Sequence, residues 1–412
     1  MAEGLAARQA ALALLSGVLG DRATLAELAD GAVLARLPAQ ERARAQRLAL
    51  EVLRQVEPID RLLQGFLRRE PKLEVLNILR LAVVELAGGA AAHGVVNSAV
   101  ELARGAKQSA AAAGMVNAVL RQVPVGVSLA GSVQKMPRWL RQPMVHAYGR
   151  DAVTAIEAVQ AKAPPLDLTL KGALRPEGLM LPTGSLRLAE AGQVSALAGF
   201  AEGDWWVQDG AAALAVPMLG DVAGQAVLDL CAAPGGKTMQ LAAAGARVTA
   251  LDMSGPRMER LRDNLARTGL AAELVVADVL QWQPDTLFDA VLLDAPCSAT
   301  GTIRRHPDLQ YVKDGSELPG LVALQAQMFD RALGFLRPGG RLVYCTCSLL
   351  PDEGEAQLQA ALTRHPGLSV VPRSLTGVPA DWFGPLGGLR LRPDYWADEG
   401  GMDGFFMVCV TQ

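Results

Sequence analysis

The chain has 412 residues, of which 50% are hydrophobic and 20% charged, with a formal net charge of −3 and five cysteines. Its length exceeds one ordinary domain of about 100–200 residues, and its composition is that of a folded protein, so we expect two or three domains. The charge excludes a uniformly basic nucleic-acid coat protein. Five cysteines in so long a chain exclude a disulfide framework and favour a reduced, cytoplasmic location.

The charge is unevenly distributed along the chain. Residues 1–150 carry 19 basic and 12 acidic side chains, a net of +7, whereas residues 151–412 have a net of −10. A basic front half favours contact with a polyanion, although a helical domain with a chance excess of arginine would explain it equally well. The N-terminal residues lack a positive start followed by an apolar core, so we predict no signal peptide and no membrane segment.

The first third of the chain has the periodicity of helices. From residue 1 to about 125, apolar residues recur every three or four positions, which predicts a bundle of short helices. Breaks are predicted at Glu57-Pro58 and Gly88-Gly89, and Pro124 ends the bundle.

Residues 126–205 are less regular. A proline opens a predicted helix at 137–148, and a second helix is predicted at 151–162. Pro164-Pro165 then precedes short alternating apolar runs that begin with Leu166, Leu168 and Leu170. We interpret this region as a small mixed α/β connecting element.

From residue 205 onwards, predicted strands and helices alternate. The predicted strands are 226–230, 247–252, 274–278, 288–294, 340–347 and 405–410, with helices at 237–244, 257–268 and 321–335. Strands separated by helices predict a parallel sheet with helices on both faces. The sequence therefore predicts a multidomain protein: an all-α domain at 1–126, the connecting element at 127–205 and an α/β Rossmann-like domain at 206–412.

A glycine turn follows the first strand of the α/β domain. Its residues are Cys231, Ala232, Ala233, Pro234, Gly235, Gly236 and Lys237. Ligands of open α/β sheets bind at the carboxyl ends of the strands, and small residues before a helix let a ligand reach its free N–H groups. The turn has neither the phosphate-loop pattern nor G-x-G-x-x-G, and alone it is more typical of a tight strand–helix connection than of a binding site.

Three aspartates strengthen the interpretation of this turn as a binding site. Asp252, Asp278 and Asp294 end the next three predicted strands. One such acid is usually a helix cap, but three beside a glycine turn predict a nucleoside pocket, with Asp252 on the ribose and Asp278 on an adenine amine. Because no phosphate cradle is present, an adenosyl sulfonium fits better than a dinucleotide. The sequence indicates S-adenosylmethionine as the cofactor, and we predict no metal site.

Two cysteines lie at strand ends. Cys297 follows the fourth strand and Cys347 ends the fifth, so both thiols open onto one pocket if these strands are neighbours. Cys345 and Cys409, inside strands, are predicted core residues. Thiols suit methyl transfer to carbon 5 of a cytosine, because a thiolate that adds at carbon 6 makes carbon 5 nucleophilic. Asp294 is the candidate carboxylate near ring nitrogen 3.

These segments resemble the RNA cytosine-C5 methyltransferases of the RsmB/Sun family. The resemblance is carried by residues 228–238, 294–298 and 346–348 and by Asp403-Gly404-Phe405-Phe406. The N-terminal region is similar to NusB, an RNA-binding antitermination domain, at residues 97–102 and 116–121. The resemblance implies methylation of small-subunit (16S) ribosomal RNA and a NusB-like domain that binds the RNA.

The resemblance also assigns roles. It implies that Cys347 is the nucleophile and Cys297 the cysteine of product release, with Asp294 beside them. It places cofactor contacts on the turn 231–237 and on Asp252, Asp278 and Asp294. Spacing alone does not rank the cysteines, and the Pro296-Cys297 pair resembles the nucleophile motif of DNA cytosine methyltransferases. We prefer Cys347 because of the family resemblance.

The chain departs from the family in the connecting element. The family usually has a basic Leu-Arg-x-Asn stretch where this chain has Leu168-Thr169-Leu170-Lys171. Basic residues in and around this element either contact phosphate or form a solvated face; they are Lys135, Arg138, Arg141 and Lys171. His93 is more typical of a loop or helix end than of a catalyst.

Two other functions are compatible with the sequence. The chain could be a non-catalytic RNA-binding factor with a relic methyltransferase half, against which the intact cysteines and aspartates speak. It could also carry the same chemistry to transfer RNA. We expect a monomer.

Overall fold

The computed structural model describes residues 4–29, 31–129, 133–190 and 192–412. The chain forms two compact units, one of residues 1–163 and 303–314 and the other of residues 164–302 and 315–412. In these described ranges, no helix is both long enough and apolar enough to cross a membrane.

The first unit is helical, as predicted. Its helices are α1 (Leu5–Leu19), α2 (Leu25–Ala29), α3 (Ala32–Ala35), α4 (Ala39–Leu53), α5 (Val56–Gln64), α6 (Leu73–Ala87), α7 (Ala92–Gly105), α8 (Ala113–Leu120), α9 (Arg138–Tyr148) and α10 (Arg150–Gln160). The break predicted at Glu57-Pro58 is wrong, because both residues lie in the first turn of α5. A first turn leaves its N–H groups without helical partners, so a proline there removes no helical hydrogen bond.

The remaining elements belong mainly to the second unit. The strands are β1 (Leu166–Leu170), β2 (Leu179–Met180), β3 (Leu186–Leu188), β4 (Trp205–Val207), β5 (Ala226–Leu230), β6 (Arg247–Asp252), β7 (Glu273–Val276), β8 (Phe288–Asp294), β9 (Leu336–Thr346), β10 (Ser369–Val370), β11 (Leu389–Leu391) and β12 (Phe405–Thr411). The helices are α11 (Ala215–Leu219), α12 (Gly236–Ala243), α13 (Gly255–Thr268), α14 (Leu309–Val312), α15 (Leu318–Leu333) and α16 (Glu355–Arg364).

Helix α14 is the exception, since it packs within the first unit. The hydroxyl of Tyr311 donates to the carbonyl of Leu53 at 2.7 Å, and Asp308 accepts from the backbone N–H of Leu25 at 2.9 Å. Burial raises the pKa of Tyr311 above its ordinary value, so this hydroxyl remains a donor. The segment 303–314 is therefore an integral part of the helical core.

The main sheet has the strand order β7-β6-β5-β8-β9-β12-β10, with β11 paired to β12. Strands β5 to β9 run parallel, and β12 pairs antiparallel with β9. The predicted parallel sheet and its late completing strand are confirmed. The third predicted strand is wrong at its end: β7 stops at Val276, so Asp278 lies two residues beyond it.

Helices cover both faces of this sheet, as predicted. On one face, Met218 and Leu219 of α11 are buried against the strands. On the other face, Phe329 of α15 and Leu358 of α16 are buried. The strand order reverses between β5 and β8, which is the point where open α/β sheets hold their ligands.

A smaller antiparallel sheet has the order β2-β3-β1-β4. A buried ion pair between Arg187 and Asp167, with a nitrogen–oxygen distance of 2.7 Å, joins β3 to β1. Helices α9 and α10 belong to the first unit and β1 to β4 to the second, although the sequence groups them in one connecting element. The division into domains 1–126, 127–205 and 206–412 stays a prediction.

Candidate active site

The residues selected from the sequence lie mostly at one edge of the main sheet. Cys231 directly follows β5, Asp252 ends β6, Asp294 ends β8 and Cys347 directly follows β9. These four strands are parallel neighbours, so their carboxyl ends meet at the same edge.

The turn after β5 is shaped by its backbone. Cys231 has a φ of 60° and Gly235 a φ of 107°, a range that favours glycine. A Cβ at Gly235 would lie only 2.1 Å from Cδ1 of Leu261, so no larger residue fits there without movement. Helix α12 begins directly after this glycine, and its first N–H groups face the turn.

Asp252 anchors this turn to the end of β6. It is buried, and its carboxylate accepts from the backbone N–H groups of Ala233 at 3.1 Å and Ser254 at 2.9 Å. Arg257 lies 3.6 Å from the same carboxylate. The next residue, Met253, is 78% exposed, which leaves an apolar surface beside the anchored acid.

Asp278 is placed differently from the other two aspartates. It is exposed, and its Oδ1 accepts from the N–H of Leu280 at 2.9 Å, which closes a local turn. This is the cap-like arrangement that a single acid after a strand usually makes. Its contact with an adenine amine stays a prediction.

Lys237 and Asp294 form an ion pair across the strand ends. Nζ of Lys237 lies 2.8 Å from Oδ2 of Asp294 and 5.2 Å from the ring centroid of Phe405. Burial alone would lower the pKa of Lys237, but the Asp294 carboxylate raises it above its ordinary value. The lysine therefore remains charged and holds the carboxylate predicted to face the base.

Sequence reasoning did not select a fourth aspartate in this region, Asp229. It is fully buried within β5 and accepts from Oγ1 of Thr238 at 2.5 Å, whereas its Oδ1 has no hydrogen-bond partner in the described part of the chain. Burial raises its pKa to about 7. The available signal was an acid in an otherwise apolar strand, Ala226–Leu230.

The two strand-end cysteines are brought together. Sγ of Cys297 lies 3.4 Å from Sγ of Cys347, within hydrogen-bond distance for sulfur, and all five cysteines are free. The hydrogen bond to Cys347, followed by burial and the charge of Glu353, raises the pKa of Cys297 well above its ordinary value. Cys345 and Cys409 are buried within strands, as predicted.

The basic residues near the connecting element are mostly engaged or solvated. Arg141 pairs with Glu157 at 2.8 Å, and Nζ of Lys171 donates to a main-chain carbonyl at 2.6 Å. Lys135 and Arg138 are exposed. His93 is exposed in the first turn of α7, and within the described ranges no cluster of His, Cys, Asp and Glu could hold a metal ion.

The helical unit contains an open groove of about 740 Å³. It is lined by Phe66, Leu67, Arg68, Arg69, Pro71, Lys72, Val75, Gln108, Ala111, Ala112, Met115, Ala118, Val119 and Gln122. No acidic side chain is among these described lining residues. Arg68, Arg69 and Lys72 are exposed and form no ion pair with a described residue.

Comparison with known proteins covers both units. Residues 216–410 match the family 16S rRNA methyltransferase RsmB/F, and residues 5–124 match the NusB family. The ribosomal RNA small subunit methyltransferase B of Pseudomonas putida is 34% identical over 98% of this chain and 96% of its own length. The protein of the same name from Salmonella arizonae is 41% identical over 60% of this chain and 55% of its own length.

A solved structure has the same fold. The crystal structure of PH0851 matches with a TM-score of 0.74 and covers 98% of this chain and 99% of that one. Its sequence identity is 21%, so the likeness concerns the fold.

Proposed function

Because the chain belongs to the family of the 16S rRNA methyltransferases RsmB/F, we propose that it methylates carbon 5 of a cytosine in small-subunit ribosomal RNA. The observation that carries the proposal is the pair of thiols, Cys297 and Cys347, whose sulfurs lie 3.4 Å apart at neighbouring strand ends. A nitrogen or oxygen acceptor needs no thiol, whereas carbon 5 becomes nucleophilic only after addition at carbon 6.

In the proposed reaction, Cys347 is the nucleophile. Its thiolate adds to carbon 6, carbon 5 then takes up the methyl group, and a base removes the carbon 5 proton. The carbon 6–sulfur bond breaks, and its electron pair returns to the sulfur of Cys347. The raised pKa of Cys297 supports this assignment, because Cys297 keeps its proton at neutral pH and is a poor first nucleophile. The 3.4 Å distance between the two sulfurs supports a role in which the Cys297 S–H gives its proton to the departing Cys347 sulfur.

Asp294 and Lys237 are proposed to face the cytosine ring. Addition at carbon 6 raises electron density at ring nitrogen 3, so this nitrogen takes up a proton from water, and the Asp294 carboxylate stabilises the changed ring by accepting a hydrogen bond from the new N–H. The 2.8 Å contact with Lys237 fixes Asp294 in one orientation. This supports a positioned acid at the base rather than a freely rotating one.

The glycine turn fits S-adenosylmethionine, the cofactor of this methyltransferase family. Gly235 lets the turn pack closely on Leu261, and the exposed Met253 beside the buried Asp252 gives this edge of the sheet an apolar surface next to a polar group. When bound, the cofactor supplies an electrophilic methyl group. The residues proposed to hold it are Cys231, Ala232, Ala233, Pro234, Gly235, Gly236, Lys237, Asp252, Asp278 and Asp294.

The helical unit is proposed to bind the RNA substrate through its groove. Three cations without ion-pair partners surround an apolar floor, an arrangement that suits a phosphate backbone with exposed bases. We expect that Gln at Arg68, Arg69 and Lys72 together weakens RNA binding about tenfold and reduces its salt dependence. A control triple variant changes Arg36, Arg42 and Arg47 to Gln. Equal losses in both variants, measured by filter binding, would place the RNA elsewhere.

The proposed reaction is tested with labelled cofactor and unmodified RNA. Small-subunit RNA is expected to take up label at carbon 5 of cytosine, and transfer RNA is not. Cys347→Ala is expected to lose transfer by at least about 1,000-fold, since it removes the nucleophile. Cys409→Ala changes a buried cysteine of β12 and is the matched control, with transfer retained. RNA binding without any transfer would favour a non-catalytic RNA-binding factor.

The roles of the two cysteines are separated on denaturing gels. Cys297→Ala is expected to trap a covalent protein–RNA adduct, because addition proceeds and release fails. Cys347→Ala is expected to form no adduct. The opposite pattern would exchange the two roles.

A further inference from the structure

A buried glutamate, Glu353, lies beside the thiol pair and outside every motif considered in the sequence. It ends a single helical turn, Pro351–Glu353, shortly after Cys347, and its side chain is fully inaccessible to solvent. In the described part of the chain it forms no ion pair. Burying a carboxylate without a cation is unfavourable unless hydrogen bonds compensate it, so its partners show what it holds.

Each donor to this carboxylate either lies in the loop that carries Cys297 or also hydrogen-bonds to that loop. Oε1 of Glu353 accepts from the backbone N–H of Ser298 at 2.8 Å and from Nε2 of Gln325 at 2.9 Å. Oε2 accepts a short hydrogen bond from the Ser298 hydroxyl. The same Gln325 nitrogen donates to the carbonyl of Pro296 at 2.9 Å. The residues before and after Cys297 are therefore both fixed, one directly and one through Gln325.

The backbone of Glu353 is tied to the strand that carries the other thiol. Its carbonyl accepts from the hydroxyls of Tyr344 at 2.9 Å and Thr346 at 3.0 Å, both on β9. Thr346 directly precedes Cys347. One residue thus connects the loop of Cys297 to the strand end of Cys347.

The loop needs such an anchor. Ala299 has a φ of 57°, a conformation that residues other than glycine adopt at a cost. The hydroxyls of Ser298, Thr300 and Ser348 lie 3.2 Å from one another, and the N–H of Gly301 donates to the carbonyl of Cys347 at 3.0 Å. Ser298 therefore takes part both in this hydroxyl cluster and in the contact with Glu353.

We propose that Glu353 is a positioning residue for adduct release, which fixes the loop 296–298 so that the Cys297 thiol stays in contact with Cys347. This rests on the proposed function, in which Cys297 assists the departing Cys347 sulfur. Glu353 does not touch the substrate in this account; it acts through Ser298 and Gln325. Without the Glu353 carboxylate, Cys347 still adds to carbon 6 and carbon 5 still takes up the methyl group, but the elimination that breaks the carbon 6–sulfur bond and frees the RNA is slowed.

The test compares adduct accumulation with methyl transfer in the full-length chain. Glu353→Gln retains the size of the side chain but replaces one acceptor by an amide donor. In a single turnover, we expect methyl transfer to carbon 5 at nearly the normal rate. Release of the methylated RNA from Cys347 is expected to slow about tenfold, so the covalent protein–RNA adduct accumulates and is seen on denaturing gels. Asp352→Asn makes the same charge change at the exposed neighbour in the same turn and is the matched control. Ser298→Ala removes the hydroxyl contacts with Glu353, Thr300 and Ser348 but keeps the backbone N–H bond to Glu353, and it is expected to act in the same direction with a smaller change.

A merely structural role gives a different result. Adduct formation and methyl transfer then fall together, in proportion to the folded fraction measured by circular dichroism, and this outcome would overturn the proposal. Release at the normal rate in a folded Glu353→Gln would overturn it too. If Glu353→Gln does not fold, unchanged release in Ser298→Ala contradicts the proposal and slowed release supports it. If Cys297→Ala itself traps no adduct, the proposed function fails instead.

Discussion

Two loops at the carboxyl edge of the main sheet each lie over a buried carboxylate, but they are held in different ways. The turn after β5 has positive φ at Cys231 and Gly235, and it is anchored by Asp252 at the end of the neighbouring strand β6, not by the carboxylate beneath it. The carboxylate beneath it, Asp229, has one side-chain donor, the hydroxyl of Thr238, and an oxygen without a partner in the described ranges.

The loop after β8 is held by side chains. Glu353 accepts from Ser298 twice and from Gln325 once, so both of its oxygens are hydrogen-bonded. A buried acid therefore has two different uses in this sheet. With too few hydrogen-bond donors, as at Asp229, its protonated form is favoured, whereas with donors to both oxygens, as at Glu353, it fixes the position of those donors.

The largest expected effect concerns the pH dependence that Asp229 introduces. Its pKa is about 7 in the folded chain against 3.8 as the ordinary value, so the folded state binds more protons between these values. The free energy of unfolding therefore falls as pH rises from about 4 to about 7, by up to about 4 kcal/mol, and is constant beyond. Urea unfolding measures it, and Asp229→Asn is expected to remove this slope. Asp285→Asn, which changes an exposed acid, should leave the slope unchanged. Equal slopes in the unchanged protein and in both variants would show that Asp229 does not cause the pH dependence, which would remove the contrast between the two loops.

The next effect concerns the ion pair that joins the two regions. Lys237→Met leaves Asp294 without its cation, and we expect the free energy of unfolding to fall by about 3 kcal/mol, since the uncompensated charge is largely removed from water. Methyl transfer should fall as well. Adding Asp294→Asn to this variant is expected to restore stability but not transfer. Recovery of both stability and methyl transfer in the double variant would show that the Lys237–Asp294 ion pair has a purely structural role.

The smallest effect concerns the backbone of the turn. Gly235→Ala places a Cβ against Leu261 at a positive φ, and we expect a loss of about 2 kcal/mol in stability together with weaker cofactor binding. Calorimetric titration with the cofactor measures the second effect. Gly255→Ala adds a Cβ where no atom lies within 4 Å and is the matched control. Equal cofactor affinities in Gly235→Ala and Gly255→Ala would show that cofactor binding does not depend on the conformation of this turn.

Much of the main sheet could be predicted because local patterns determine it. Strands β5, β6 and β8 have the predicted bounds, since short apolar runs there end in acids or small residues. The end of β7 could not be predicted, because the Asp278 side chain accepts a hydrogen bond from the N–H of Leu280 and closes a turn instead of continuing the strand. Glu353 could not be found either, since its donors come from residues 28 and 55 positions away in the chain.

The sequence by itself determined the alternation of helix and strand, the glycine turn and the presence of two cysteines at strand ends, because these depend on residue type and short-range periodicity. Only the tertiary structure decided that β8 and β9 are neighbours, which brings Cys297 within 3.4 Å of Cys347. The tertiary structure also decided the surroundings of the Cys297 thiol. The hydrogen bond to Cys347, burial and the charge of Glu353 together raise the pKa of Cys297, and all three arise from residues that only folding brings together.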